Sequence, residues 1–125
     1  MMPIVLIKAI IIDDEVDSAE VFAEFLKLKD IDVAGLGKNG KEGVELYQKH
    51  KPDVVFLDLV MPQYDGFYAL EEIKKINPDA RVIIITAFLT DMMRKKLNNF
   101  GVEDVFQKPY SVKEIANSIK EKIPT

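Results

Sequence analysis

The chain is 125 residues long, which at about 150 residues per domain fits one domain, residues 1–125, with no separate output domain. Its 48% apolar content can fill a core unaided, and the absence of cysteine excludes disulfides, thiolate zinc sites, iron–sulfur clusters and a cysteine nucleophile. Seventeen basic against 21 acidic side chains, a net charge of -4, give no field suited to a phosphate backbone, so no nucleic-acid partner is expected.

Taken in chain order, residues 1–8 carry no basic leader, and the apolar run that follows stops at Asp13-Asp14. Neither a signal peptide nor a membrane span fits, so a cytoplasmic protein without a membrane partner is expected. A first strand is predicted over 9–12, and Ile4-Val5-Leu6-Ile7 either extends it or packs on its edge. A helix follows over 17–29, where Val21, Phe22, Phe25, Leu26 and Leu28 form an apolar stripe for the core opposite Glu20, Glu24 and Lys27. Further strands at 31–36, 54–57, 82–85 and 105–106 alternate with helices at 41–50, 66–76, 91–100 and 112–123. Lys51-Pro52-Asp53, Asn77-Pro78-Asp79 and Phe100-Gly101 mark the connections. Runs that are nearly continuous in apolar residues suit parallel strands buried on both faces, with helices as crossovers. The fold class is α/β.

Gly35-Leu36-Gly37-Lys38-Asn39-Gly40 spells GxGxxG between a strand and a helix, with Asp58 ending the next strand. This is the form of a dinucleotide-binding turn. However, the chain lacks room for two mononucleotide-binding halves, and the motif follows the second strand instead of the first. Gly43 also weakens the helix that the motif should open. The glycines are read instead as a flexible loop after an edge strand.

In open parallel sheets ligands bind beyond the carboxyl ends of the strands. Here those ends carry Asp13-Asp14, Asp58, Thr86 and Lys108-Pro109. Polar residues ending four different buried runs imply a site. Clustered carboxylates repel unless a cation neutralises them. With His50 the only histidine, that cation must be held by oxygen, and Mg²⁺, which binds through a few carboxylates plus phosphate oxygens, fits. No GxxxxGK[ST] loop is present to hold a nucleotide. A phosphoryl group placed on a carboxylate is therefore the favoured chemistry, and Asp58 is the candidate nucleophile.

The segments Ile10-Ile11-Ile12-Asp13-Asp14-Glu15, Asp58-Leu59-Val60-Met61-Pro62 with Asp65-Gly66, Ile85-Thr86-Ala87, and Gly101 with Lys108-Pro109-Tyr110 together resemble the receiver domain of two-component response regulators, in its stand-alone, chemotaxis-type form. The resemblance covers nearly the whole chain and implies a flavodoxin-like sheet in order 2-1-3-4-5 flanked by five helices. It implies a regulatory phosphoacceptor and not an enzyme. Asp58 would take a phosphoryl group from a sensor histidine kinase, a phosphotransfer protein or a small phosphodonor. Asp14 would ligate Mg²⁺ directly and Asp13 mainly through water, with Asp58 and the backbone carbonyl of Val60 completing the protein ligands. Thr86 would bind one phosphoryl oxygen and Lys108 another, through a Lys108–Pro109 bond that the family holds cis. A downstream effector would act in trans, and the chain would be a monomer or weak dimer.

Other residues receive plainer readings. Met61-Pro62 and Asp65-Gly66 supply turn chemistry, Ala87 either leaves access to Asp58 or is an ordinary packing alanine, Glu15 and His50 are surface or helix-end residues, and Tyr47 and Tyr110 are packing or rim residues. Met92, Met93 and Phe100, placed on the fourth helix, suit either the core or a partner surface. The position where this family usually has a switching aromatic, three before the lysine, holds Val105. Phe106 cannot replace it, because neighbouring strand residues point to opposite faces. Readout would then fall to the loop 88–91, or the domain would act as a relay carrier. Val60 and Phe88, apolar beside Asp58 and Thr86, are expected to hinder water and lengthen the life of an acyl phosphate. A haloacid-dehalogenase-type phosphatase would need an acid where Val60 stands, and a silent interaction module would have lost one of Asp13, Asp14, Asp58, Thr86 or Lys108.

Overall fold

The computed structural model describes residues 6–123. Strands β1 (Ile7–Ile12), β2 (Ile31–Gly37), β3 (Val54–Leu57), β4 (Val82–Thr86) and β5 (Asp104–Gln107) alternate with helices α1 (Val16–Leu28), α2 (Gly40–His50), α3 (Gly66–Ile76), α4 (Asp91–Asn98) and α5 (Val112–Lys122). The five strands form one parallel sheet in order β2-β1-β3-β4-β5. This is the α/β architecture expected from the sequence. Ile7 does extend the first strand, whereas Ile4 and Val5 lie outside the described residues.

The central strands read as continuous apolar runs because both faces of the sheet are covered. Ile10, Ile12, Val55, Leu57, Val82 and Ile84 pack to one side with Tyr47 of α2, Leu70 and Ile73 of α3, and Leu97 of α4. Ala9, Ile11, Val54, Phe56, Ile83 and Ile85 pack to the other with Phe22 and Leu26 of α1 and Ile115 and Ile119 of α5. Strand period two thus sends alternate residues of one run into two cores.

Helix starts follow their capping residues. Asn39, Asp65, Thr90 and Ser111 each accept a hydrogen bond from a backbone N–H one turn on. The predicted fourth helix is two residues too long. The chain tightens there through Asn99 N–H to the Lys96 carbonyl and Phe100 N–H to the Leu97 carbonyl, and Gly101 then takes a left-handed φ of 64°. Phe100 therefore lies beyond α4, yet it still packs on the core beside Met93, while Met92 faces solvent.

The apolar stripe predicted for α1 is split by the structure. Phe22 and Leu26 are buried with Ala19, but Val21 is 71% and Leu28 80% exposed. Five apolar residues over this helix span more than the single face the sheet can cover. Among the described residues no helix is long and apolar enough to cross a membrane.

Candidate functional site

The sheet ladder itself places the first two acids. Asp58 N–H donates to the Ile12 carbonyl and Asp13 N–H to that of Gly37, each at 2.9 Å, so the residues just past β3 and β1 continue the pairing of the strands. Lys108 is held likewise by its N–H on the Thr86 carbonyl at 2.8 Å, and the Lys108–Pro109 peptide is cis. Four strand ends bring five side chains together. Carboxylate oxygens of Asp13, Asp14 and Asp58 all lie within 4.8 Å of one another.

The Lys108 ammonium bridges two of these acids, 2.9 Å from Asp13 Oδ2 and 3.3 Å from Asp58 Oδ2. Asp58 Oδ1 accepts the Val60 N–H at 3.2 Å. Asp58 is only 6% exposed, and burial pushes its carboxyl above the ordinary value of 3.8; Lys108 and the Val60 N–H oppose that push and Asp13 adds to it. Burial of Lys108 works against its charge, but the hydrogen bond it donates to Asp13 and the attraction of both acids outweigh it and hold its pKa above that of a free lysine. Thr86, fully buried at the end of β4, donates its hydroxyl to the Phe88 carbonyl at 3.3 Å.

Two glycines shape the backbone around the acids. A Cβ on Gly66 would stand 2.2 Å from the Asp58 carbonyl oxygen and 2.6 Å from Leu59 Cα. Only glycine lets α3 start against the end of β3, and Asp65-Gly66 is therefore a packing requirement as well as a turn. A Cβ on Gly40 would stand 2.2 Å from the Tyr64 carbonyl oxygen, which accepts the Gly40 N–H. The GxGxxG glycines are thus not a flexible loop: Gly35 and Gly37 lie inside β2, and Gly40 begins α2. Leu46 and the backbone of Gly43 crowd the two strand glycines. The space a pyrophosphate would need at Gly40 is filled by the β3–α3 loop.

Residues 9–120 match the response regulator receiver domain family. The chain belongs to it. The receiver domain is 30% identical to chemotaxis protein CheY of Thermotoga maritima over 90% of this chain and 93% of that one, and 31% identical to CheY of Bacillus subtilis with the same coverage. It also resembles, at 33% identity, the response regulator protein VraR of Staphylococcus saprophyticus, of whose length it spans 55%. Among solved structures it superposes on a CheX–CheY–BeF3–Mg complex from Borrelia burgdorferi with TM-score 0.86 and 25% identity, covering 92% of this chain and 87% of that one. A CheY-like receiver from Methanospirillum hungatei shares the fold at TM-score 0.88 and 21% identity, with 94% of each chain covered. Receiver domains are regulatory modules of two-component and chemotaxis response regulators, and a phosphoacceptor role is what membership implies. The family binds Mg²⁺ in its acidic pocket, and the aspartate cluster of such a pocket is present here.

Within this receiver, Val105 packs with Leu97 and Met93 on the α4 side of the sheet, and Phe106 packs on the α1–α5 side. Phe106 therefore cannot stand in for an aromatic at Val105. Tyr110 packs edge-on against Phe22, with ring centres 5.4 Å apart, and Tyr47 is buried with its hydroxyl accepting from Asn77 Nδ2. His50 ends α2, and Glu15 precedes α1 and accepts from the Ser18 hydroxyl. The Val60 N–H on Asp58 was not legible beforehand. An Asp followed two residues on by any N–H can form such a turn, so the pattern carries little signal.

Proposed function

We propose that Asp58 is the phosphoacceptor of a Mg²⁺-dependent signalling switch, supplied by a histidine kinase or phosphotransfer protein and read by an effector in trans. The observation that carries this reading is a buried carboxylate held beside two others and one ammonium. In the transfer, an Asp58 oxygen forms the new P–O bond as the P–N bond of a phosphohistidine breaks, and the imidazole nitrogen keeps the electron pair. Little covalent help is needed from the protein; position and charge stabilisation suffice.

Lys108 is already between Asp13 and Asp58, so it meets a phosphoryl oxygen without a long excursion. Thr86 must give up its bond to the Phe88 carbonyl to reach another, and that exchange pulls on the 88–91 loop. The oxygen-only donor set fits a hard divalent cation, with Asp13, Asp14, Asp58 and the Val60 carbonyl as the ligands. Bound there, Mg²⁺ offsets the charge of acids and phosphate together. Phosphorylation adds roughly 1.5 to 2 negative charges where Lys108 is already shared, which shifts the balance between loop arrangements. The unit is a single receiver domain acting as a monomer or weak dimer, with no nucleic acid or membrane as partner.

Incubation with acetyl phosphate and Mg²⁺ is expected to add one phosphoryl group by intact mass. Asp58→Asn and chelation should each abolish it. An adduct that survives Asp58→Asn would overturn the assignment.

A further inference from the structure

Helix α1 has a second apolar stripe that the core of the described residues does not use. Val21, Phe25 and Leu28, spaced i, i+4, i+7, share one side, with Val21 and Leu28 mostly exposed and Phe25 half-buried beneath the Lys29 ammonium at 5.8 Å. Beside it runs an open groove of about 500 Å³ between α1 and the edge strand β2, where Val21, Val33 and Leu36 contribute apolar walls. Among the described residues β2 pairs only with β1, and it carries one charged side chain, Asp32, in seven residues, so among those residues its outer edge is little protected.

The charges around the stripe are sorted along the helix. Glu20 and Glu24 stand in its first part, Lys27 and Lys29 at its end. Among the described residues the one pair they make, Glu24 with Lys27 at 3.7 Å, is exposed on both sides and free to exchange. Reversed on itself, the groove side of the stripe is self-complementary: an antiparallel copy sets its Lys27 against Glu20 and its Glu20 against Lys27, while Lys29 lies on the other side of the stripe, over Phe25. We propose that the outer face of α1, with the β2 groove, is an isologous contact for a second copy of this chain, the two α1 helices antiparallel about a two-fold axis. Such contacts use one patch twice.

Sedimentation velocity of the full chain over rising concentration tests it. The wild type is expected to show a reversible monomer–dimer equilibrium, and Val21→Glu or Leu28→Glu to weaken it at least tenfold; circular dichroism should not change, since both side chains are exposed. A chain with Glu20→Lys and Glu24→Lys, and another with Lys27→Glu and Lys29→Glu, should each remain monomeric alone and form a heterodimer when mixed. A wild type that is monomeric throughout overturns the proposal, including the case in which the face binds only a helix of a phosphodonor protein. A dimer indifferent to the apolar substitutions, or charge variants that do not pair on mixing, overturns it equally.

Discussion

Two aspartate–lysine sites in this domain are built from the same residue types and behave oppositely. At one, Asp58 and Asp13 share Lys108; at the other, Asp104 meets Lys122 at 2.9 Å. Burial raises Asp58, and the ammonium it shares with Asp13 at 3.3 Å, the Val60 N–H and the Thr86 hydroxyl oppose that push without overcoming it. Burial works against Asp104 too, but Lys122, the Ser118 hydroxyl at 2.8 Å and the Val105 N–H at 2.9 Å outweigh it and hold its carboxyl below the ordinary range. A carboxylate whose lone pairs are filled by short bonds is structural. One that is buried and only partly answered keeps capacity for a cation and a phosphoryl group.

Removal of each lysine sharpens that contrast most. In chelator, Lys108→Ala leaves two buried acids facing each other, and the cost should approach about 3 kcal/mol. Lys122→Ala exposes a pair already partly in water and should cost about 1 kcal/mol or less. Urea unfolding measures both, and equal losses would break the distinction between the sites.

Added Mg²⁺ should act at one site alone. At a hundredfold excess over its Kd it should stabilise the fold by about 2.7 kcal/mol, with the gain reversed by chelation and greatly reduced in Asp14→Asn. Asp104→Asn should leave the gain intact. A gain that survives Asp14→Asn would place the cation elsewhere.

The strands of the site were legible because each polar residue ends a run that has to be buried, and four such endings converge only if the runs are parallel. Apolar periodicity made the helix starts readable within a residue, and the structure shows Asp65 and Thr90 capping α3 and α4 where they begin. What escaped was the partition of α1 and the role of glycine in tertiary contact. Val21 and Leu28 look like Phe22 and Leu26 in composition, and only the width of the sheet decides which are covered. Gly40 and Gly66 look like turn residues, and the backbone atoms that exclude a side chain there come from segments distant in the chain or on the far side of a loop.

The mouth of the Asp58 site offers a smaller test of its unanswered character. Val60 and Phe88 are 52% and 61% exposed, so both can be replaced with little cost to the core. Neither can hold water by a hydrogen bond. With Asn at 60, a polar group is available to orient water near the acyl phosphate, and decay should quicken by about tenfold, the equivalent of ~1.4 kcal/mol in the barrier. Phe88→Ala opens the approach without guiding water and should quicken it less. Decay rates that match wild type in both variants would remove these side chains from the control of lifetime.

Acid titration of stability gives the subtlest comparison, because the two aspartates should bend it in opposite directions. Asp104 has a folded pKa below 3.8, so its contribution is fully present above 3.8 and lost as pH falls through the folded value. Its removal in Asp104→Asn should therefore cost about 1 kcal/mol near neutral pH and little in strong acid. Asp58 has a folded pKa above 3.8, so between those values the native state keeps a proton that the unfolded chain has lost. Its charged form is a liability that grows as pH rises from 3.8 to the folded value and stays constant above it. Asp58→Asn should then gain on wild type with rising pH, over a window that lies above the one for Asp104. Urea unfolding of the three proteins across pH, without Mg²⁺, reads both windows, and difference curves of the same sign would mean that Asp58 is answered as fully as Asp104 and has no unmet demand for a cation.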